Sequence, residues 1–216
     1  MSNARNYHFP DHIIIGIQKC LQTLTLPLSS SSHRPSPSEH LQQPTLSATT
    51  QKLSAGLMRV NHSGEVCAQA LYLGQSFFAR DKAIHQGFQQ AATEEAEHLQ
   101  WCAQRLTELN THTSYLNPLW FTGSLMIGTC AGLFGDKISL GFLAETEHQV
   151  SAHLARHLEK LPSEDLKSRA IVKQMQQDEM QHAAKATELG AIMLPWPVKF
   201  LMRATAKVMT QIAYYV

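Results

Sequence analysis

The sequence contains few charged residues, and the two signs nearly cancel. Charged side chains make up 16% of its 216 residues, compared with about 25% in an ordinary soluble protein. The 18 Lys and Arg against 17 Asp and Glu give a formal net charge of +1. Such a balance provides no general attraction to nucleic acid, so we expect no nucleic-acid partner. The low charge also indicates that part of the surface does not face water.

Cysteine is too sparse and too widely spaced to form a disulfide framework or a zinc site. The positions fit neither a zinc motif nor a small disulfide-bonded domain, and the four residues are Cys20, Cys67, Cys102 and Cys130. We interpret them as reduced thiols of a protein from a reducing compartment. A secretory signal is not evident. The apolar patch within residues 12–28 is shorter than the roughly 20 residues that cross a bilayer.

Composition divides the chain into three parts. Residues 1–28 are interpreted as an N-terminal apolar, helical segment. Residues 29–51 are rich in Ser and Pro and predict a linker with too little apolar surface to order by itself. Residues 52–216 repeat apolar residues at steps of three and four, the period of an α-helix. This part is predicted to be one all-α domain, with helices at residues 53–82, 84–109, 118–134, 136–160, 164–189 and 196–214.

Histidine is unusually frequent and equals glutamate, with 12 residues of each. A Glu and a His three positions apart on a helix point the same way and can bind one metal centre. Chance placement gives only about 0.7 such pairs in a chain of this composition. The sequence has three pairs, which are Glu95 with His98, Glu145 with His148 and Glu179 with His182.

Two of these pairs interrupt apolar helix faces. The pair Glu95 and His98 shares its face with Phe88, Leu99 and Leu106, and the pair Glu179 and His182 shares its face with Val172, Met175 and Ala186. An ionised carboxylate in a bundle core is very costly unless it is paired or binds a metal. Both pairs are therefore predicted to face a metal centre, and a polar core network is the alternative.

The third pair lies on a different face of its helix. Glu145 and His148 fall on the polar side, so we interpret their spacing as accidental. Glu147 stands on the apolar face of the same helix and is predicted to be the inward carboxylate. The first helix contains one glutamate, Glu65, which lies on a more mixed face.

These positions together resemble one type of ligand set. Carboxylate-bridged di-iron and di-manganese bundles take one Glu from each of two helices and Glu-x-x-His from each of the other two. The separations of 30 residues from Glu65 to Glu95 and of 32 from Glu147 to Glu179 indicate a duplicated helical pair. We predict a ferritin-like four-helix bundle with two metal ions, ligated by Glu65, Glu95, His98, Glu147, Glu179 and His182.

Four segments resemble motifs of the Coq7 family of di-iron hydroxylases in ubiquinone biosynthesis. The longest is LMRVNHSGEVCAQALYLGQ at residues 57–75, and the others are EEAEHL at 94–99, SLGFLAETEHQVSAHL at 139–154 and DEMQHA at 178–183. The similarity spans about residues 52–216. It implies two Fe²⁺ ions on the six predicted ligands. It also implies that O2 hydroxylates the ring of 5-demethoxyubiquinol, a polyprenylated benzoquinol.

The resemblance also implies roles for residues outside the ligand set. His153 matches a family histidine thought to lie near the substrate and is predicted to be catalytic, with a solvated helix-face histidine as the alternative. Leu154 stands where eukaryotic members carry Tyr, which argues against a proton or electron route through that phenol. Arg59 and Asn61 match the first motif, and bracing of the first helix is the alternative role for each.

The polyprenyl tail of the implied substrate requires access to a membrane. Residues 118–135 contain no charge and four Gly, so they predict either a buried bundle helix or an interfacial helix at the quinone entrance. In residues 196–214, Lys199, Arg203 and Lys207 lie opposite an apolar face. This is typical of a helix in the membrane plane or of a core helix with a basic outer face. We expect peripheral binding at the cytoplasmic face of the cell membrane, as a homo-oligomer or within a ubiquinone-biosynthesis complex.

Two other function classes are compatible with the same helical pattern. A ferritin-like iron store or a peroxide-consuming bundle would use the same ligands but leaves the apolar segment 118–135 unexplained. A purely structural helical adaptor would bind no iron.

Overall fold

A computed structural model describes residues 34–216, together with the isolated positions Ile14 and Gln18. The predicted N-terminal segment, apart from those two positions, and the start of the linker lie outside the described residues. Between residues 34 and 216 the regular structure is helical, without strands, which confirms the all-α prediction. The helices of this part are α1 (Ala48–Ser76), α2 (Lys82–Glu108), α3 (Asn117–Leu133), α4 (Asp136–Lys160), α5 (Leu166–Glu188) and α6 (Trp196–Ala213).

The predicted helix boundaries agree with the structure to within two residues except in α1. This helix begins at Ala48, five residues before the predicted start, because the Ser47 hydroxyl accepts a hydrogen bond from the Thr50 backbone N–H at 3.2 Å. It ends at Ser76, six residues before the predicted end. The chain then turns, and the Asp81 carboxylate caps α2.

Helices α1, α2, α4 and α5 pack as a four-helix bundle, as expected for a ferritin-like fold. One hydrophobic cluster fills one end of the bundle and includes Trp101, Leu106, Leu154 and Met175. A second cluster fills the other end and includes Tyr72, Phe88, Leu140 and Ala186. The predicted ligands lie between these two clusters along all four helices.

Helix α3 packs directly against the backbone of α1. A Cβ atom added to Gly128 would lie 2.2 Å from the carbonyl oxygen of Leu71, and one on Gly74 would lie 2.5 Å from that of Leu125. Glycine therefore permits this close approach. The opposite side of α3 and its C-terminal end are apolar and exposed, at Leu119, Met126, Ile127, Leu133 and Phe134. The face of α3 against α1 is buried, whereas an interfacial role of its exposed face stays a prediction.

Helix α6 exposes its apolar face, and one of its basic side chains, Lys199, contacts α4. The Lys199 Nζ atom lies 2.9 Å from Oε2 of Glu145. Ala213 is the buried residue of the helix, whereas the large apolar side chains are exposed at Trp196, Phe200, Leu201 and Val208. The alternative of a core helix with a basic outer face is therefore wrong. Among the described residues, no helix is long and apolar enough to cross a membrane.

Residues 34–47, which belong to the predicted linker, lie against α2 and α5 without forming a helix. The Gln43 side chain donates to the Glu164 carbonyl at 2.8 Å and accepts from the Lys167 backbone N–H at 3.1 Å. Polar contacts with the bundle therefore hold this segment, in agreement with its low apolar content.

Candidate metal centre

The bundle brings all six predicted ligands together at its centre. Glu65 comes from α1, Glu147 from α4, and the two Glu-x-x-His pairs come from α2 and α5. All six residues are buried. They form two groups, in each of which the potential ligand atoms lie within 4.8 Å of one another. One group is Glu65, Glu95, His98 and Glu179, and the other is Glu95, Glu147, Glu179 and His182.

Glu95 and Glu179 belong to both groups and direct one oxygen toward each imidazole. Nδ1 of His98 lies 3.3 Å from Oε2 of Glu95 and 3.4 Å from Oε1 of Glu179. Nδ1 of His182 lies 3.3 Å from Oε1 of Glu95 and 3.4 Å from Oε2 of Glu179. This arrangement suits carboxylates that bridge two metal ions.

Several buried polar atoms at the centre lack hydrogen-bond partners. They are Oε1 of Glu95, Oε1 of Glu147, Oε1 of Glu179 and Nδ1 of His182. An unsatisfied buried polar group is costly, and native proteins leave few of them. Carboxylate oxygens and imidazole nitrogens are also suitable ligands for divalent transition metals. The donor set therefore fits metal ions, which would satisfy the unpaired atoms.

The four carboxyl groups separate into two whose pKa is raised and two whose pKa is lowered. Burial raises the pKa of Glu65 and of Glu147 well above the ordinary value, and nearby carboxylates raise it further. Burial acts in the same direction on Glu95 and Glu179, but contacts with both imidazoles and the protonated carboxyls lower their pKa overall. The two bridging-type carboxylates are therefore the ones that stay ionised without metal.

The two imidazoles balance these ionised carboxylates. Burial alone would lower the pKa of His98 and His182, but the surrounding carboxylates raise it above the ordinary value. In the metal-free protein these shifts favour the imidazolium form of both histidines, opposite Glu95 and Glu179. Two divalent ions would replace this balance with four ionised carboxylates and two neutral imidazoles.

We expect metal binding to release protons and to weaken as the pH falls. The pKa values of Glu65, Glu147, His98 and His182 are raised, so these are the groups that would give up protons to two bound ions, up to about four in total. Raising the pH removes these protons and favours binding. Calorimetry with Co²⁺ in buffers of different ionisation enthalpy measures the number released. Glu147→Gln should release one proton fewer, and a release below one proton by the unmodified protein would contradict the assignment.

Each histidine ligand candidate is held by a carboxylate from the opposite motif. Nε2 of His98 lies 2.9 Å from Oδ2 of Asp178, and Nε2 of His182 lies 2.6 Å from Oε2 of Glu94. The His182 hydrogen bond is the main cause of the lowered pKa of Glu94. Burial would raise the pKa of Asp178, but the hydrogen bond with His98 contributes to lowering it overall. An ionised carboxylate can only accept, so each Nε2–H donates and Nδ1 faces the centre.

Comparison with known sequences agrees with this geometry. The chain matches the family model for "Ubiquinone biosynthesis protein COQ7" over residues 52–213. The chain belongs to the COQ7 family. The resemblance noted in the four sequence motifs is thereby confirmed.

Curated relatives of this COQ7-family chain cover almost its whole length. A 3-demethoxyubiquinol 3-hydroxylase of Legionella pneumophila (strain Corby) is 52% identical over 212 residues, 98% of this chain and 100% of the relative. A protein of the same name from Coxiella burnetii (strain RSA 493 / Nine Mile phase I) is 53% identical over 215 residues, 100% of this chain and 99% of the relative.

Sequence reasoning missed the two carboxylates behind the histidines of this COQ7-family centre. Neither Glu94 nor Asp178 is among the predicted ligands. The available signal was an acidic residue directly before each Glu-x-x-His motif. A histidine that binds a metal commonly donates its other N–H to a carboxylate, and the acidic residue before each motif is a candidate for this role.

The structure does not bring His153 into either ligand group. Its ring packs on His157, with 4.0 Å between ring centroids. Burial, together with the neighbouring cations Arg156 and Lys160, lowers the pKa of His153 to about 4, so it is neutral at pH 7. Its catalytic role stays a prediction.

Other motif residues of the COQ7 match have structural contacts. The Arg59 guanidinium donates to the carbonyl groups of His112 and Tyr214 and so holds the α2–α3 loop and the C-terminus. The Asn61 amide donates to the sulfur of Met58 at 3.8 Å. These contacts favour the bracing role. Outside the centre, Glu145 pairs with Lys199 and His148 is exposed.

Proposed function

We propose that the protein is a di-iron 3-demethoxyubiquinol 3-hydroxylase that uses O2 to hydroxylate the ring of a polyprenylated benzoquinol. The observation that carries this proposal is the pair of buried ligand groups that share Glu95 and Glu179. The near-full-length similarity to relatives of that name supports the substrate class. Glu65 and His98 would complete one iron site, and Glu147 and His182 would complete the other.

Two bound Fe²⁺ ions would supply the two electrons that, with O2, allow one oxygen atom to enter the ring while the other leaves as water. The protein's own contribution is positioning. Glu95 and Glu179 hold both halves of the centre together, and Asp178 and Glu94 keep the histidine Nε2 protons away from it. The hydrophobic clusters on both sides exclude water from the centre.

A small cavity beside the centre suits the gaseous substrate. It has a volume of about 20 Å³ and reaches His182 and Glu94 between α2, α4 and α5. Its remaining lining is mostly apolar and includes Phe88, Leu140, Leu143, Ala186 and Leu189. This volume holds a molecule about the size of water or O2.

Product analysis tests this function directly. The Fe²⁺-loaded protein, given 5-demethoxyubiquinol, a reductant and ¹⁸O2, should form a quinol that gains one ¹⁸O atom, as measured by mass spectrometry. Absence of product with bound iron confirmed would refute the proposal. A mineralised iron core or rapid peroxide consumption without quinol product would favour the storage or peroxide-consuming alternative instead.

The exposed apolar sides of α3 and α6 support peripheral contact with the cell membrane, which we place at its cytoplasmic face. A substrate with a polyprenyl tail resides in the bilayer, and an apolar helix face with basic residues beside it is typical of interfacial binding. Phe200 and Leu201 are 62% and 65% exposed on α6. Assembly into a homo-oligomer or a biosynthetic complex stays a prediction.

We expect Leu201→Glu to reduce co-sedimentation with anionic lipid vesicles, because it places a charge on the apolar face of α6. The matched control is Leu166→Glu, which changes another exposed leucine, 43% exposed, at the start of α5. A glutamate is favourable in the first turn of a helix. Equal vesicle binding by Leu201→Glu and Leu166→Glu would argue against α6 as the membrane contact.

A further inference from the structure

We propose that Arg34 is a positioning residue of the metal centre, which acts through Asp178 on His98. The inference rests on the proposed function, since it requires metal at the six ligands. It extends the centre to a residue of the predicted linker, outside the stretch 52–213 that the family model matches.

A direct chain of contacts links the guanidinium to the ligand candidate. Nη1 of Arg34 lies 3.0 Å from Oδ2 of Asp178. The same carboxylate oxygen receives the Nε2–H of His98 at 2.9 Å. The position of this oxygen determines the direction in which the imidazole presents Nδ1 to the centre.

Further contacts hold the Arg34 guanidinium in place. Its Nε donates to Oε2 of Glu97, and its backbone N–H donates to Oε1 of the same residue at 3.2 Å. The guanidinium carbon lies 5.1 Å from the centroid of the Trp101 ring, in the range of a cation–π contact. The Trp101 ring in turn lies 5.3 Å from the His98 ring. Arg34 therefore meets both the ligand's carboxylate partner and its aromatic neighbour.

Two nearly buried acidic side chains meet the Arg34 guanidinium. The side chains of Glu97 and Asp178 are only 7% and 6% exposed, so the repulsion between them is weakly screened. Arg34 contacts both and lies at the surface with 39% exposure. The planar guanidinium can donate in two directions at once, whereas a lysine ammonium is a single point charge.

The segment that carries Arg34 is anchored to the bundle at a second point. Gln43 contacts the start of α5 through Glu164 and Lys167, while Arg34 contacts α2 and α5 beside the centre. The segment thus spans these two helices along the side where Asp178 lies. Its function is to complete the surroundings of His98, in addition to linking the N-terminus to the domain.

The rate of iron loss tests this role. Anaerobic full-length protein loaded with Fe²⁺ is mixed with ferrozine, and release is followed by absorbance. Arg34→Gln should lose iron at least about tenfold faster than the unmodified protein. Changes to residues that hold a metal ligand in place typically reduce metal affinity by about 10- to 100-fold, and tenfold is the lower end of this range. Arg80→Gln, a change of an exposed arginine, is the control and should not alter the rate. Arg34→Lys should bring the rate of iron release only part of the way back to that of the unmodified protein. It keeps the positive charge but cannot donate to Glu97 and Asp178 with the planar geometry of a guanidinium.

A double-variant cycle separates positioning from general stabilisation of the fold. If Arg34 acts through Asp178, iron loss from the Arg34→Gln/Asp178→Asn protein should equal that from Asp178→Asn alone. Release from Arg34→Gln within about twofold of the unmodified protein, or fully multiplicative effects in the double variant, would overturn the inference. If Arg34→Gln does not fold, Arg34→Lys serves in the same cycle. Failure of the unmodified protein to bind iron would refute the proposed function instead.

Discussion

Hydroxylation by the Glu179→Ala variant is expected to fall by more than about 100-fold. Changes to residues that only hold a metal ligand in place typically cost about 10- to 100-fold. Glu179 directs one oxygen to each half of the centre, so its removal affects both ligand groups at once. The iron content of the purified variant should fall in parallel. Quinol product and bound iron, measured on the same samples, check both expectations.

The matched control for this variant is His148→Ala. His148 belongs to a Glu-x-x-His pair with the same spacing as the ligand pairs, but it is exposed and lies outside both ligand groups. Its replacement should leave iron content and turnover unchanged, whereas His182→Ala should reduce both. Equal losses in His148→Ala and His182→Ala would show that the helix-face assignment is wrong.

The second large effect is expected from the carboxylates behind the histidines. Asp178→Ala and Glu94→Ala should each weaken iron binding by about 10- to 100-fold, because the imidazole loses the acceptor that orients it. The Asp178 change should have the greater effect. Its side chain is 6% exposed, compared with 30% for Glu94, and the electrostatic interaction is stronger where water is excluded.

Competition titration with a chelator of known iron affinity measures this difference. Glu188→Ala removes an exposed carboxylate near the end of the same helix as Asp178 and serves as the control. The assignment would be wrong if Asp178→Ala bound iron as tightly as Glu188→Ala. A larger loss in Glu94→Ala than in Asp178→Ala would contradict the argument from burial.

The helical period was sufficient to select the inward ligands from the sequence. Glu147 and Glu145 are two positions apart, so they point to different sides of α4, and only Glu147 lies among apolar neighbours. The structure places Glu147 in a ligand group and pairs Glu145 with Lys199. Burial of a helix face depends on its pattern of residues, which is visible in one helix alone.

The residue pattern of a single helix does not reveal contacts with side chains of other helices. Asp178 and Glu94 lie beside the buried stripe of their own helices, and each reaches the histidine of the opposite helix. Their role depends on how α2 and α5 are placed against each other. Arg34 is a stronger example, because it comes from a segment with no periodic pattern and reaches the centre only through the folded bundle.

The sequence by itself determined that this protein is an all-α bundle with four carboxylates and two imidazoles facing inward. Helical periodicity shows which residues of one helix share a face, and the cost of burying a charge then indicates that carboxylates on an apolar face need a partner. Both arguments use the sequence of a single helix. The tertiary structure decided which carboxylate holds each histidine, that α6 presents its apolar face to the surroundings, and that Arg34 reaches Asp178. These contacts join residues far apart in the chain, so they depend on the positions of the packed helices.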